Sequence, residues 1–215
     1  MPDTIRYAYG LGVDAISSIE QLEAMYGAPV DTSLLKVTHH ITPLQGEYIE
    51  ASPFVLLATV GPDGVDCSPR GDPAGFVRIV DPTTIQIPDR RGNNRIDSLR
   101  NIVGDPRVAL LFVVPGIGVT LRINGTAVLR TDDELRASFQ FAGKLPTTVI
   151  EITVGECYTQ CPKALIRSDL WNPEHFRSAS ELPTVGQINV EISGGAFDGA
   201  AYDANYPQRV KDTIY

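Results

Sequence analysis

The chain has 215 residues, of which 43% are hydrophobic and 20% charged, a composition that is typical of a folded globular protein and excludes a disordered one. Its formal net charge of −8 at pH 7 argues against a nucleic-acid partner, because proteins that bind nucleic acids non-specifically carry a basic domain. No apolar run approaches the ~18–20 residues that cross a bilayer and the first residues lack a secretory signal pattern, so we expect a cytoplasmic protein with no membrane partner.

The first 52 residues are predicted to form a helical segment that packs on the rest of the protein. The stretch SSIEQLEAMYGAP begins with the spacing of a capping box and ends in glycine and proline, which predicts one helix. A second short helix is predicted at residues 34–37, and residues 41–53 are predicted to form a turn.

Residues 53–171 have the pattern of β-strands. Apolar or alternating runs are separated by Gly and Pro turns, as in FVLLATV, VDCSPR, GFVRIV, TIQIP, RVALLFVV, VTLRINGTAVLR and TTVIEITVGECY. A parallel sheet would need a helix after nearly every strand. Six or so short strands with hairpin turns therefore predict an antiparallel barrel with helices at its edges.

Three short helices are predicted between these strands, in RIDSLRNIV, TDDELRASFQFAG and CPKALIRSDLW. Thr131 or Asp132 is expected to cap the second of them. Residues 172–215 contain glycine, proline and aromatic residues with little periodicity, which predicts a C-terminal arm that lies on the domain or contacts a partner. We expect one domain overall.

The cysteines are Cys67, Cys157 and Cys161. Three thiols in a chain of this size do not form a disulfide framework, and their spacing matches none of the usual zinc-ligand pairs. We therefore predict buried, unreactive thiols and no metal site.

The segment IPDRRGNNRIDSLRNI, residues 87–102, concentrates arginines in an acidic chain. It runs from a strand through a Gly-Asn-Asn loop, in which Gly92, Asn93 and Asn94 permit tight turns, into a helix. Unsatisfied N–H groups at a helix start and arginine side chains both bind phosphate oxygens. The segment predicts a phosphate site, and the alternative is a solvated helix face on which Asp89 and Asp97 pair with the arginines.

Other patterns of catalysis are absent. There is no P-loop, no complete dinucleotide-binding motif and no Gly-x-Ser-x-Gly, and the chain has only three histidines. An enzyme without an obvious acid, base or nucleophile usually takes its chemistry from a bound cofactor.

Four stretches together carry a resemblance: LLATVGPDGVDCSPRGD, IQIPDRRGNNRIDSLRNIVGDPRVALLF, LRINGTA and CPKALIRSDLW. Over residues 54–171 they resemble the FMN-binding split-barrel family related to pyridoxamine 5′-phosphate oxidase, in particular its bacterial branch of uncharacterised flavoproteins. The resemblance implies a mainly β fold, an antiparallel six-stranded split β-barrel with peripheral helices. It also implies non-covalently bound FMN and a homodimer with its FMN sites at the subunit interface.

The same resemblance implies which residues bind the cofactor. Those expected around the phosphate are Arg90, Asn93, Asn94, Arg95 and Ser98. Those expected at the flavin ring or ribityl chain are Ser68, Pro69 and Arg70, with the backbone of Ile87, Pro88 and Asp89 at the pyrimidine edge. Thr120 and Arg122 are expected on a strand near the flavin, and Arg167 and Trp171 are expected to reach across the dimer interface.

The expected function is hydride or electron transfer through FMN to a small-molecule substrate that the sequence does not name, with NAD(P)H as the reductant. The C-terminal residues lack the arginine-containing segment of the oxidase proper, which argues against oxidation of vitamin B6. Two alternatives stay open. One is a barrel that binds flavin or haem for storage or sensing without turnover, and the other is a deazaflavin-dependent reductase.

Overall fold

A computed structural model describes residues 15–215 and divides the chain into two units, residues 1–36 and residues 37–215. The first unit contains α1 (Ile19–Tyr26) and α2 (Asp31–Leu35). The helix predicted in SSIEQLEAMYGAP is thus confirmed as α1, and α2 begins three residues before the helix that the sequence predicts at residues 34–37. Residues 1–14 of the predicted N-terminal segment lie outside the described residues, and the packing of that segment on the barrel stays a prediction.

The second unit begins with a helix where the sequence analysis predicts a turn. This helix is α3 (Pro43–Ala51), and the turn prediction is wrong. The Thr42 side chain accepts a hydrogen bond from the Gln45 backbone, the Gln45 side chain accepts one from the Thr42 backbone, and Pro43 occupies the first turn. These are the signals of a helix start, and the buried Ile49 places the helix on the core.

Seven strands form one antiparallel sheet in the order β2-β1-β5-β6-β7-β4-β3. Their bounds are β1 (Phe54–Gly61), β2 (Gly64–Gly71), β3 (Arg78–Asp81), β4 (Thr84–Pro88), β5 (Arg107–Val113), β6 (Thr120–Arg130) and β7 (Val149–Gln160). The mainly β, antiparallel fold with peripheral helices is confirmed, with seven strands in place of the six expected.

The core follows from alternation along the strands. Val55 and Leu57 of β1, and Leu110 and Phe112 of β5, are buried while the residues between them are more exposed. These alternating side chains join isoleucines of β4, β6 and β7 in a single hydrophobic cluster. The sheet therefore supplies a rigid body from which the loops at its edges project.

Three helices flank the sheet as predicted: α4 (Asp97–Gly104), α5 (Asp133–Ala137) and α6 (Lys163–Ser168). Asp132 stands at the N-cap position of α5, although its side chain makes no capping hydrogen bond. The buried face of α4 carries Ser98 and Ile102, which places the first turn of α4 next to β1 and β2.

The C-terminal residues are more ordered than the predicted arm. After two 3₁₀ turns at Pro173–His175 and Ala179–Glu181, they form α7 (Val185–Ile192) and α8 (Gly199–Thr213). Thr184 caps α7 with Gln187 in a capping box, so a local start signal was present although the apolar periodicity was weak. Within residues 15–215, none of the helices has the length and apolar character to span a bilayer.

Candidate functional site

A pocket of about 770 Å³ opens where the end of β2, the loop after β4 and the first turn of α4 meet. Ser68, Pro69 and Arg70 line it from β2. The predicted residues that line it from the loop and α4 are Asp89, Arg90, Asn93, Asn94, Arg95 and Ser98. The structure therefore brings together the two stretches that the sequence analysis assigns to one cofactor site, and their roles in binding stay predictions.

Arg70 and Asp89 form a mostly buried ion pair on one side of the pocket. The Nη1 of Arg70 lies 3.2 Å from Oδ1 of Asp89, and the Asp89 side chain is 14% exposed. Burial raises the pKa of Asp89 above its ordinary value, and the positive charge of Arg70 opposes that shift. The Nε of Arg70 is buried and has no hydrogen-bond partner in the part of the chain that the structure describes. A buried donor without a partner is costly, so this atom is available to a ligand acceptor.

Arg90 is held by two groups of the protein. Its Nε lies 2.7 Å from Oδ2 of Asp72, and its Nη1 donates to the carbonyl oxygen of Phe139 at 2.7 Å. Asp72 also accepts a hydrogen bond from the Tyr215 hydroxyl at 2.9 Å. Arg90 thus forms part of the pocket wall with its side chain fixed in place.

The loop between β4 and α4 contains two residues in the left-handed region. Asn94 has φ 61° and Ile96 has φ 53°. Asparagine tolerates this conformation, whereas a β-branched isoleucine is strained in it. Of Gly92 and the two asparagines, which are predicted to permit tight turns here, Asn94 supplies the left-handed conformation and Gly92 does not have a positive φ. The strain at Ile96 shapes the backbone at the entry to α4, beside the pocket.

The first turn of α4 carries hydrogen-bond donors and also the carboxylate of Asp97, which pairs with Arg95. Ile96, its N-cap, provides no side-chain hydrogen bond, while the buried Ser98 donates its hydroxyl to Ser68 at 3.1 Å. Arg95 lies 2.8 Å from Asp97, and its side chain is 75% exposed. Of the two ion pairs that the alternative interpretation expects within the segment, the one between Arg95 and Asp97 is present, whereas Asp89 pairs with Arg70 of β2.

The remaining predicted site residues do not line this pocket. Ile87 and Pro88 are buried in β4 just before the loop. Thr120 is buried in β6, and Arg122 on the same strand donates to the hydroxyl of Tyr158 at 3.3 Å. Arg167 is exposed on α6, and the indole N–H of Trp171 donates to the carbonyl of Ile117 at 3.0 Å. Their predicted contacts with a flavin or a partner subunit stay predictions.

The pocket also includes residues that the sequence analysis did not select, namely Arg91, Gly92, Ile96, Asp97, Leu99, Lys144, Leu145, Thr147 and Tyr215. Lys144 and Thr147 come from the segment before β7, and Tyr215 follows α8. No local motif marks these three positions, because they reach the pocket only through the tertiary fold.

The thiols differ in exposure. Cys157 is buried and desolvation raises its pKa to about 11. Cys67 and Cys161 are exposed, so the prediction of buried thiols is wrong for these two. Their exposure follows from their positions in the fold, and the local sequence pattern does not predict it. Among residues 15–215, no cluster of three or more His, Cys, Asp or Glu side chains could hold a metal ion.

The fold and the pocket define a mainly β protein with a cationic pocket at a strand–loop–helix junction. A family model described as pyridoxamine 5′-phosphate oxidase matches residues 41–161, which is more than half of the chain. The chain therefore belongs to the pyridoxamine 5′-phosphate oxidase family, whose members bind flavins.

Several solved structures are similar to part of the chain at low sequence identity. HupZ of Group A Streptococcus is 20% identical with a TM-score of 0.47, over 56% of this chain and 94% of that one. A putative pyridoxamine 5′-phosphate oxidase of Lactobacillus delbrueckii is 23% identical with a TM-score of 0.46, over 56% and 95%. An FAD binding protein of Mycobacterium smegmatis is 11% identical with a TM-score of 0.41, over 57% and 97%. No curated protein matches the chain.

Proposed function

We propose that the chain is a cytoplasmic flavoprotein that binds FMN non-covalently and transfers hydride or electrons between NAD(P)H and a small-molecule substrate. The observation that carries this proposal is the pocket between β2 and the start of α4. It combines a cationic loop with the Nε of Arg70, a buried donor that no group of residues 15–215 satisfies. Membership of a flavin-binding family supports FMN as the ligand.

The loop end of the pocket fits a phosphate group. Arg95 can exchange its ion pair with Asp97 for a phosphate oxygen, because the Arg95 side chain is largely in solvent. Arg91 lines the same end and makes no hydrogen bond or ion pair with another of the residues 15–215. The backbone N–H groups of the first turn of α4 supply neutral donors, whereas the Ser98 hydroxyl is engaged with Ser68. We assign the phosphate of FMN to this end.

The Arg70 end of the pocket fits the polar edge of the flavin ring. When bound, FMN supplies the hydride and electron chemistry. The guanidinium of Arg70 can donate through Nε to a ring oxygen while Nη1 stays paired with Asp89. A fixed positive charge at this place favours negative charge that develops on the ligand. Asp89, with its raised pKa, would hold a proton more readily than an exposed carboxyl group.

We further propose a homodimer in which Arg167 and Trp171 lie at the subunit interface. Trp171 is anchored to Ile117 through its indole N–H, and Arg167 is exposed on the preceding helix. Both side chains therefore present a defined surface outside the pocket. Light scattering on the purified protein gives the mass directly, and twice the chain mass of 23.3 kDa is expected. A monomer at all concentrations would contradict the interface.

Visible absorption and flavin fluorescence test the cofactor proposal. The purified protein should be yellow, or take up added FMN with quenching of its fluorescence. Riboflavin, which lacks the phosphate, is the matched control ligand and should bind at least tenfold more weakly if the loop contacts a phosphate. A deazaflavin cofactor, compared in the same titration, tests the reductase alternative. A protein that neither retains nor binds FMN contradicts the proposal.

A second candidate function is flavin binding without turnover. It is supported by the side chains themselves, since Arg70, Asp89 and Arg90 are all engaged in ion pairs and none is a free acid or base. Stopped-flow reduction by NADPH separates the two functions. An oxidoreductase should show saturable reduction of the bound flavin, whereas a storage or sensing protein should be reduced slowly and without saturation.

A further inference from the structure

Tyr215 connects the C-terminal helices to the proposed flavin pocket. Residues 177–214 hydrogen-bond mainly among themselves, within the turns and the α7–α8 pair. Tyr215 leaves this group and lines the pocket. Its hydroxyl donates to Oδ1 of Asp72 at 2.9 Å, and its ring centroid lies 4.8 Å from that of Phe141. The end of α8 is therefore fixed to the pocket through one side chain.

The acceptor of this hydrogen bond is a carboxylate that has almost no contact with water. The Asp72 side chain is 1% exposed. Its Oδ2 is paired with Arg90 and its Oδ1 accepts from Tyr215, so each oxygen has one partner. A buried charge is costly unless its oxygens are hydrogen-bonded. Loss of the Tyr215 hydroxyl would leave Oδ1 without that partner. The cost of an unpaired buried oxygen therefore stabilises the position in which Tyr215 is hydrogen-bonded to Asp72.

The contacts of Tyr215 extend into the pocket wall. Arg90 binds Asp72 and lies over the ring of Phe141, with 5.7 Å between the guanidinium carbon and the ring centroid. Arg90 lines the proposed flavin pocket and, together with Asp72 and Phe141, a neighbouring cavity of about 600 Å³. Tyr215, Phe141, Asp72 and Arg90, which we call the latch cluster, thus belong to a wall shared by two cavities.

We propose that Tyr215 is a positioning residue that closes one side of the flavin pocket and slows the release of FMN. This inference rests on the proposed function and deepens it. With the hydrogen bond to Asp72 formed, the side chain completes the wall beside the loop after β4. With that bond broken, the end of α8 is no longer fixed at the pocket, and the bound cofactor can leave on that side.

The hydroxyl and the ring of Tyr215 have separable parts in this closure. Tyr215→Phe keeps the ring and removes the hydrogen bond to Asp72, so it tests the contribution of that hydrogen bond alone. Phe141→Ala removes the ring contact and leaves both Asp72 partners in place, and it decides the matter if Tyr215→Phe fails to fold. Tyr206→Phe is the matched control, because Tyr206 lies on α8 and packs on Tyr202 away from the pocket.

The first measurement is the rate of FMN release, followed as recovery of flavin fluorescence after rapid dilution. Tyr215→Phe should release FMN about tenfold faster, the effect of losing one hydrogen bond to a charged group. Phe141→Ala should release it several-fold faster, and Tyr206→Phe should match the wild type. The association rate should change less than the release rate, because the wall closes after the cofactor enters.

The second measurement needs no flavin turnover. Trypsin cleavage after Lys211, detected by mass spectrometry, reports how firmly the end of α8 is fixed. Tyr215→Phe should be cut faster than the wild type and than Tyr206→Phe, and FMN should protect the wild type most. If Tyr215→Phe and Phe141→Ala release FMN and are cleaved at wild-type rates, the proposed role of Tyr215 is wrong, and the proposal that the chain binds FMN is unaffected. Failure of the wild type to bind FMN would overturn both.

Discussion

At the scale of single residues, Arg95 is the sharpest test of the phosphate site. Arg95→Ala should weaken FMN binding roughly tenfold, because a hydrogen bond from a charged donor to a phosphate is lost. The side chain is largely in solvent, so we expect the lower end of the range for such bonds. Fluorescence titration with FMN measures the dissociation constant.

Arg107 provides a matched control for this variant. Like Arg95, it is a largely exposed arginine, 70% accessible, that pairs with an aspartate two residues away, here Asp105. It does not line the pocket. Arg107→Ala should therefore leave FMN affinity unchanged. Equal FMN affinities in the two variants would mean that Arg95 is a solvated surface residue paired with Asp97 and does not bind the phosphate.

The thiols give a second prediction at this scale. Cys67 and Cys161 are exposed and should react with a thiol reagent in the native protein near pH 8. Cys157 is buried with a pKa raised to about 11, so its thiolate is scarce at that pH and should react only after denaturation. Counting modified thiols by mass before and after denaturant checks this. A native protein in which Cys157 reacts as fast as the others would contradict the burial.

At the scale of elements, the crossing of α7 and α8 depends on two glycines. A Cβ on Gly186 would approach the carbonyl oxygen of Gly199 to a distance that backbone atoms do not tolerate, and it would also meet the carboxylate of Asp203. Asp203 accepts a hydrogen bond from the Gly186 backbone. Gly186→Ala should therefore lower the free energy of unfolding by about 1–3 kcal/mol through overpacking.

Chemical denaturation with circular dichroism measures that loss. Gly104→Ala is the control, since a Cβ there meets no atom of residues 15–215 within 4 Å and the residue ends α4 without a positive φ. The control should change stability by less than about 1 kcal/mol. If Gly186→Ala were as stable as the control, the two helices would not pack as closely as described.

How well an element can be predicted from the sequence depends on whether its signals are local. The strands and α4 were predictable because alternation, turn residues and the stop after α4 are local signals. The sequence does not predict the helices α3 and α7, although each carries a Thr-x-x-Gln capping box. Their apolar periodicity is weak, and glycine and proline residues, which usually end helices, lie within or beside them. The loop after β4 and the end of β2 were placed in one site by family resemblance, whereas Lys144 and Tyr215 enter it through long-range packing.

At the scale of the whole molecule, the pocket draws on parts of the chain that are far apart in sequence. Arg70 comes from an edge strand, the loop from residues 89–96, Lys144 from the segment before β7 and Tyr215 from the C-terminal residues. All belong to the second unit, residues 37–215. A ligand that contacts them together should couple its binding to the unfolding of that unit, because unfolding separates its binding groups.

FMN should therefore raise the thermal midpoint of residues 37–215. A ligand at 100 times its dissociation constant stabilises the native state by about 2.7 kcal/mol, which corresponds to roughly 5–11 °C for a domain of this size. Differential scanning calorimetry in the presence of FMN measures the shift. Riboflavin at the same concentration, and FMN added to Arg95→Ala, should both give smaller shifts, since each removes one side of the phosphate contact. An equal shift in all three would mean that the stabilisation does not come from the loop after β4.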